Sequence, residues 1–444
     1  MRISKNLLVP ALCLPVLVGC GSSDSVGMAG TPSAPQQVLA CDAYTGPALS
    51  SLQQLRGGIH AHSAYSDGDI HSLPSDYYRI AARQGLDFFA GTEHSDTYNP
   101  NIFISTGSDC FTTPDNLLTC LTPNDDKLRK WSATAEQAAA ATTDTFAALR
   151  GFEWTSDRFG HINVLFSADI TNAKIDGGYI DMGTFYSWLR RDPGFPLLGG
   201  ASDGIAIFNH PNDKKLSDSD PGRNWNLLQH VASADTQMVG MELFNSGATD
   251  DDPDGGRHDY YADWYMTALN NGWHVGAVGG EDMHDTTWAL PTHPKTVILA
   301  ADHKPETLRS AMLDRRMFAQ VSREAGEDLA IDMQAEGHPM GAQLSCDTDK
   351  TVPLTVKVKT ASGTPFNGIL RLYDHANPQL LLASTTGEPI ATATGDTLSY
   401  QLPVKADGEH WYFVRVDSVA GQSLAYTSPV WIKPRATAAQ MAIK

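Results

Sequence analysis

The chain has 444 residues, 41% of them hydrophobic, which is enough for one large domain and a smaller one, each with its own core. Its 51 acidic residues against 32 Lys and Arg give a formal charge of −19, with a pI near 5.1. Such a molecule repels phosphate backbones, and no nucleic-acid partner is expected.

Arg2 and Lys5 precede an apolar stretch over 7–18, too short for a comfortable membrane span, which runs into Leu17-Val18-Gly19-Cys20. A lone Cys after Leu-Val-Gly offers a thiol for acylation, so 1–20 reads as a bacterial lipoprotein signal. The expected place is the bacterial cell envelope, on the periplasmic or outer-membrane face, with a lipid anchor at Cys20. Residues 21–50 read as a flexible tether, Ser, Gly, Ala and Pro-rich over its first part. Of the cysteines that follow, Cys110 and Cys120 bracket a short loop and are the expected disulfide, and Cys41 is then left to join Cys346.

Over 51–325, short β-rich apolar runs alternate with helical patterns, the signature of repeated βα units and a barrel-like α/β domain. The runs are 58–62, 86–94, 147–155, 161–167, 204–211, 238–245, 274–282 and 296–300. Helices are expected over 74–84, with Ser75 as cap and Gly85 as stop, over 259–271 before Gly272, and over 304–316. The segments 99–126 and 216–226 read as long loops. Over 326–435 the period shifts to two, with strands at 329–334, 352–359, 368–373, 379–384, 397–402, 410–416 and 425–432, as in a small β-sandwich. Trp411, Tyr412 and Trp431 alternate as core residues there, and 436–444 is a tail.

Metal-ligating residue types recur at the ends of the apolar runs of the first region: His60 and His62 with Asp67, then His94, Glu153, His161, His210, and finally Asp282 with His284. In a βα barrel those ends converge on one face. Residues two apart in an extended chain share a side, so His60 with His62, and Asp282 with His284, can enter the same mouth. Six imidazoles and three carboxylates exceed the demand of one ion and imply a cluster of two or three.

His60-Ala61-His62 through Ser66-Asp67-Gly68 resembles the first motif of the polymerase and histidinol phosphatase (PHP) superfamily, and Thr92-Glu93-His94 resembles its second. Gly151-Phe152-Glu153, Gly160-His161, His210-Pro211, Met241-Glu242-Leu243-Phe244-Asn245 and Asp282-Met283-His284 resemble the later ones. The resemblance spans about 55–318. It implies a distorted (β/α)7 barrel holding two or three divalent ions, zinc, manganese or iron, on those nine residues, with Glu153 bridging. The implied activity is phosphate-ester hydrolysis on a small-molecule substrate. The Gly-Phe-Glu-Trp-Thr and Gly-His-Ile-Asn wording, with a C-terminal β-domain, looks closest to a carbaryl hydrolase-like branch that acts on other esters. Gly280-Glu281-Asp282 departs from the usual Gly-Ser-Asp and brings an extra carboxylate near the cluster.

A hydroxide held between two such ions attacks phosphorus or a carbonyl carbon without a protein nucleophile. Asp67, Glu93 and His258 are the candidate catalytic acids for the leaving group. Arg158, Lys214, Lys215, Arg223 and Arg257 are candidate anion contacts, and Trp154, Trp225 and Trp288 candidate pocket walls. Gly200-Ala201-Ser202-Asp203-Gly204 matches the serine-hydrolase text, but a strand follows it where a helix is required. Carboxylic or carbamic ester hydrolysis is the runner-up, and a non-catalytic binding lipoprotein on the same scaffold is the third reading. The acidic balance disfavours an exonuclease.

Overall fold

The computed structural model of the protein describes residues 39–98, 123–175, 178–196, 199–211, 223–246, 261–322, 327–374 and 388–435. The lipoprotein signal with Cys20, most of the tether, Cys110, Cys120, the run 379–384 and the tail lie outside the described residues. From Leu39 onward the chain forms one compact unit.

The first region contributes β1 (Gln53–Gly58), α1 (Pro74–Arg83), β2 (Phe88–His94), α2 (Pro123–Ala141), β3 (Ala147–Trp154) and β4 (Ile162–Leu165). A short hairpin of β5 (Lys174–Ile175) and β6 (Gly178–Tyr179) leads to α3 (Met182–Leu189), β7 (Ile205–Phe208), α4 (Arg223–Leu228), β8 (Met238–Phe244), α5 (Tyr261–Asn270) and β9 (Gly276–Gly279). Then come β10 (Pro294–Ala300), α6 (Pro305–Leu313) and β11 (Met317–Val321).

The expected strands between 86 and 300 and the three expected helices each have a counterpart, whereas β1 ends at Gly58, where the expected run 58–62 begins, and α2, α3 and α4 stand where no helix is expected, α2 and α4 starting inside the segments 99–126 and 216–226 read as loops. At α1 the start differs: Pro74 occupies the first helical position, where a missing N–H costs nothing, and Leu73 is the cap residue. The Asp76 carboxylate, rather than Ser75, accepts the exposed Leu73 N–H at 2.9 Å. Gly85, at φ +81°, ends the helix as expected.

β1, β2 and β3 run parallel, β4 turns back between β3 and β7, and β7, β8 and β9 resume the first direction. On the other side of β1, β10 is antiparallel and β11 antiparallel to it. Buried residues of adjoining strands pack into one cluster, among them Leu55, Ile59, Phe88, Ala147, Leu149, Ile207, Val239 and Val278. Parallel neighbours buried on both faces read as continuous apolar runs, which is why β7 and β8 are buried at every position. The architecture is mixed α/β around one large sheet with few helices. Among the described residues no ladder joins β9 back to β1. The extended segments beyond their ends meet instead at a single parallel bridge, Ala61 with Met283.

The last region adds β12 (Leu329–Ala335), β13 (His338–Pro339), β14 (Gln343–Cys346), β15 (Thr351–Thr360), β16 (Ile369–Asp374), β17 (Ala391–Thr394), β18 (Thr397–Pro403), β19 (His410–Asp417), β20 (Ser423–Thr427) and β21 (Val430–Pro434). One sheet runs β13-β12-β15-β18, and β14-β21-β19-β20, with β16 against β19 and β17 against β16, forms the other. Ile331, Met333, Leu354 and Val356 of the first meet Leu372, Val414 and Val416 of the second in one core. Trp411, Tyr412 and Trp431 are buried core residues, as their alternation implies. The expected single run 425–432 is two strands, β20 and β21, which both pair with β19 and are separated by Ser428 and Pro429. β20 pairs with β11, so strands on both sides of position 325 share one sheet. Cys41 and Cys346 are joined by a disulfide 305 residues apart in sequence.

Candidate metal centre

Strand β1 stops at Gly58, and the chain stays extended through His62. His62 N–H donates to the Met283 carbonyl at 3.0 Å and Asp282 N–H to the His60 carbonyl at 2.9 Å. This backbone pairing sets His60, His62, Asp282 and His284 side by side, although some 220 residues separate the two pairs. The alternation read from sequence therefore holds just past the ladder rather than within it.

The remaining ligand candidates arrive at the same end of the sheet. His94 is the last residue of β2 and Glu153 lies near the end of β3, directly opposite it in register. His161 precedes the antiparallel β4, and His210 follows β7 by two residues. His210 has φ +27° and Asp282 φ +53°, backbone conformations that non-glycine residues adopt at a cost of about 1–3 kcal/mol each. Both are candidate ligands.

All nine residues converge in four overlapping groups: His62, Asp67, His94 and His284; His60, Glu153 and His210; His60, His62 and Asp282; and His94, Glu153 and His161. Glu153 belongs to two of these and is fully buried. Its Oε1 lies 3.2 Å from His60 Nε2, 3.1 Å from His161 Nδ1 and 3.2 Å from His210 Nε2, and its Oε2 lies 2.8 Å from His94 Nδ1. Asp67 Oδ1 stands 3.3 Å from His284 Nε2 and Oδ2 3.3 Å from His94 Nε2.

Burial alone would push Glu153 up, but His161, His60 and His94 hold it well below the usual carboxylate range. His60 is raised well above the ordinary imidazole value, against the penalty of burial, by Asp282, Glu242 and Glu153. His62 goes the other way, to about 3, because burial and the neighbouring His284 and His94 all disfavour its charge.

His60 Nε2, His161 Nε2 and Glu153 Oε2 are buried without a hydrogen-bond partner, which is costly for a native interior. Nitrogen and carboxylate-oxygen donors that crowd one another and are left unsatisfied in this way fit divalent cations of the zinc, manganese and iron kind.

Around this set lie carboxylates and amides whose positions the motifs alone do not specify. Glu242, buried on β8, takes His60 Nδ1 at 2.8 Å with one oxygen. Its other oxygen accepts the His210 N–H at 2.7 Å and Asn245 Nδ2 at 3.1 Å. That geometry fixes the ring of one ligand and the backbone of another. Asn209 Nδ2 donates to Glu153 Oε1 at 2.8 Å. Glu242 stands within a quoted motif, but one sequence does not show which carboxylate faces a histidine's second nitrogen.

Of the candidate acids, Asp67 is in the cluster. Glu93 is fully buried and turned to the 63–66 turn, where it accepts from Ser63 Oγ and Ser66 Oγ at 2.5 Å each; no clustered group includes it. Strand alternation explains this, since Glu93 and His94 face opposite sides of β2. Ser66 Oγ is 3.3 Å from His62 Nδ1, so Glu93 reaches the cluster through Ser66. His258, Lys214, Lys215, Arg257 and the Arg223 side chain lie outside the described residues. Arg158 is exposed, with its guanidinium over the Phe159 ring.

The extra carboxylate Glu281 points away from the ligands, accepting the Ala289 N–H at 2.8 Å and lying 3.4 Å from His293 Nδ1. Trp154 packs against Phe185 in the core, Trp225 donates to the His161 carbonyl, and Trp288 donates to the Met283 carbonyl. The Ser202 loop leads straight into β7, the order in which a nucleophile elbow is not built.

No family model matches the chain, and no curated protein matches it. Among solved structures it is similar to a two-domain protein from Bacteroides vulgatus containing a predicted PHP-like metal-dependent phosphoesterase, at 18% identity and TM-score 0.38, covering 89% of this chain and 100% of that one. It is also similar to PsfC from Pseudomonas syringae, at 12% identity and TM-score 0.37, covering 61% and 93%. At TM-scores below 0.5 neither likeness bears on fold or activity.

Proposed function

We propose that this chain is a metal-dependent hydrolase of small-molecule esters, with phosphate esters as the favoured class and carboxylic or carbamic esters as the alternative. The observation that carries the proposal is the convergence of all nine motif residues on one buried cluster with Glu153 shared between groups. In the same reading the sheet is a distorted (β/α)7 barrel, supported by its parallel strands and by the Ala61–Met283 bridge, and the chain is a PHP superfamily member of the carbaryl hydrolase-like branch. Cys20 carries a lipid that keeps the body at the cell envelope.

His60, His62 and Asp282 would hold one ion; His94, Glu153 and His161 a second, with Glu153 also grouped with His60 and His210; and His62, Asp67, His94 and His284 a third. Bound there, divalent ions lower the pKa of water toward neutrality and offset the charge that develops on the ester. The protein's part is positional. Glu242 fixes the His60 ring and Asn209 steadies the shared carboxylate. Asp67, the most exposed of the three ligand carboxylates, would be the one that faces an incoming substrate.

The test is a panel of para-nitrophenyl phosphate, phosphodiester and acetate, with and without chelator, on the full chain. Chelator-sensitive turnover supports the proposal, and the preferred substrate separates the two ester classes. An inert, fully metal-loaded protein would leave the binding-scaffold reading in its place. Incorporation of labelled palmitate, lost in Cys20→Ala, tests the anchor.

A further inference from the structure

The hairpin of β5 and β6 carries Lys174 and Tyr179 to a place that neither the motifs nor the ligand groups include. Lys174 Nζ lies 2.6 Å from Asp96 Oδ2 and 3.2 Å from Asp157 Oδ2. Tyr179 Oη donates to the same Asp157 oxygen at 3.0 Å. Asp96 stands two residues after His94, and Asp157 stands four residues after Glu153 and four before His161. One ammonium therefore ties together the segment that follows His94 at the end of β2 and the connection between Glu153 on β3 and His161, the three members of the His94–Glu153–His161 group. The other Asp157 oxygen, Oδ1, faces His161 Nε2 at 3.6 Å. That nitrogen is buried and has no hydrogen-bond partner, while His161 Nδ1 faces Glu153.

We infer that Asp157, clamped by Lys174 and Tyr179, is the positioning carboxylate for His161 and sets the affinity of one ion, the one in the His94–Glu153–His161 group. A histidine that ligates through one ring nitrogen keeps its orientation and basicity by donating the other N–H to a carboxylate, and loss of such a partner typically costs about 10–100-fold in metal affinity. Asp157 cannot rotate freely to do this, because its second oxygen is fixed by a cation and a phenol. The clamp does not recruit substrate anions. Two carboxylates already surround the ammonium, so the group carries a net negative charge.

This inference rests on the proposed metal centre, and its test separates the two. Metal-stripped full-length protein is titrated with zinc and, separately, manganese by calorimetry, with bound metal counted by plasma mass spectrometry. The variants are Asp157→Asn, Lys174→Met and the milder Tyr179→Phe. The expected result is that one class of ion weakens about 10–100-fold in Asp157→Asn and Lys174→Met, and less in Tyr179→Phe, while the other class keeps its wild-type affinity. Tyr179→Phe removes a single hydroxyl, so it reports even if the charge changes unfold the loop. If all three variants bind every ion as the wild type does, the positioning role is overturned. A uniform loss across all ions overturns it as well. If the wild type itself binds no metal, the proposed function fails and the inference falls with it.

Discussion

At the residue scale, the nine clustered side chains depend on neighbours that orient them. Glu242 is buried like any core group, and only the fold brings it 2.8 Å from His60 Nδ1. Glu242→Gln keeps the shape but loses the charge that steadies the ring. It is expected to weaken metal binding about 10–100-fold with the far-UV circular dichroism unchanged, and unaltered affinity by calorimetric titration would count against the role. Asp67 belongs to one of the four groups and Glu153 to two. Asp67→Asn should therefore lower the metal count by about one ion per chain, whereas Glu153→Gln should lower it by more. Equal losses by plasma mass spectrometry would contradict the bridging position of Glu153.

Among the elements, hydrophobic period located most strands but only three of the six described α-helices, while the details of start, stop and neighbour came from elsewhere. The cap of α1 moved from Ser75 to Leu73, whose N–H the Asp76 carboxylate accepts, because Pro74 sets the first turn. β14 and β17, each of four residues, are too short to show a period of their own and exist through their partners. The segment before β9 also makes a tie that no pattern announces. His274 Nδ1 lies 2.7 Å from Asp235 and Nε2 2.7 Å from Glu409, in the turn before β19. Although burial opposes its charge, these carboxylates raise it to about 9. A folded-state pKa above the unfolded value of about 6.5 means stability that is full below that value and is lost as pH rises through about 9. The contribution is about 3 kcal/mol at most. The stability gap between wild type and His274→Gln, measured by urea unfolding, should be largest near pH 6 and nearly closed by pH 10. A gap independent of pH would show that the charge is not what matters.

For the whole molecule, the change from apolar runs alternating with helical patterns to a period of two pointed to a mixed α/β body followed by β-structure. What it did not convey is that β11 and β20 pair, so that the last strands extend the large sheet. Pairing between segments some hundred residues apart leaves no local trace in either. The Cys41–Cys346 disulfide fastens the first described residues to β14 across 305 positions. Removing it as Cys41→Ser with Cys346→Ser should cost about 2–5 kcal/mol of unfolding free energy, through the freedom regained by the unfolded chain. An unchanged guanidinium midpoint would mean that the surrounding contacts, including the Arg435 pairs to Asp42 and Asp347, already fix that end.

The central claim is that the nine converging side chains form a multi-ion centre, and anomalous diffraction at the metal absorption edge, from crystals grown with zinc or manganese, tests it most directly. Two or three peaks are expected, each within about 2.0–2.2 Å of the histidine nitrogens and carboxylate oxygens of its group, with Glu153 touching more than one. Density showing the nine side chains in place with no anomalous peak among them at saturating metal would contradict the account.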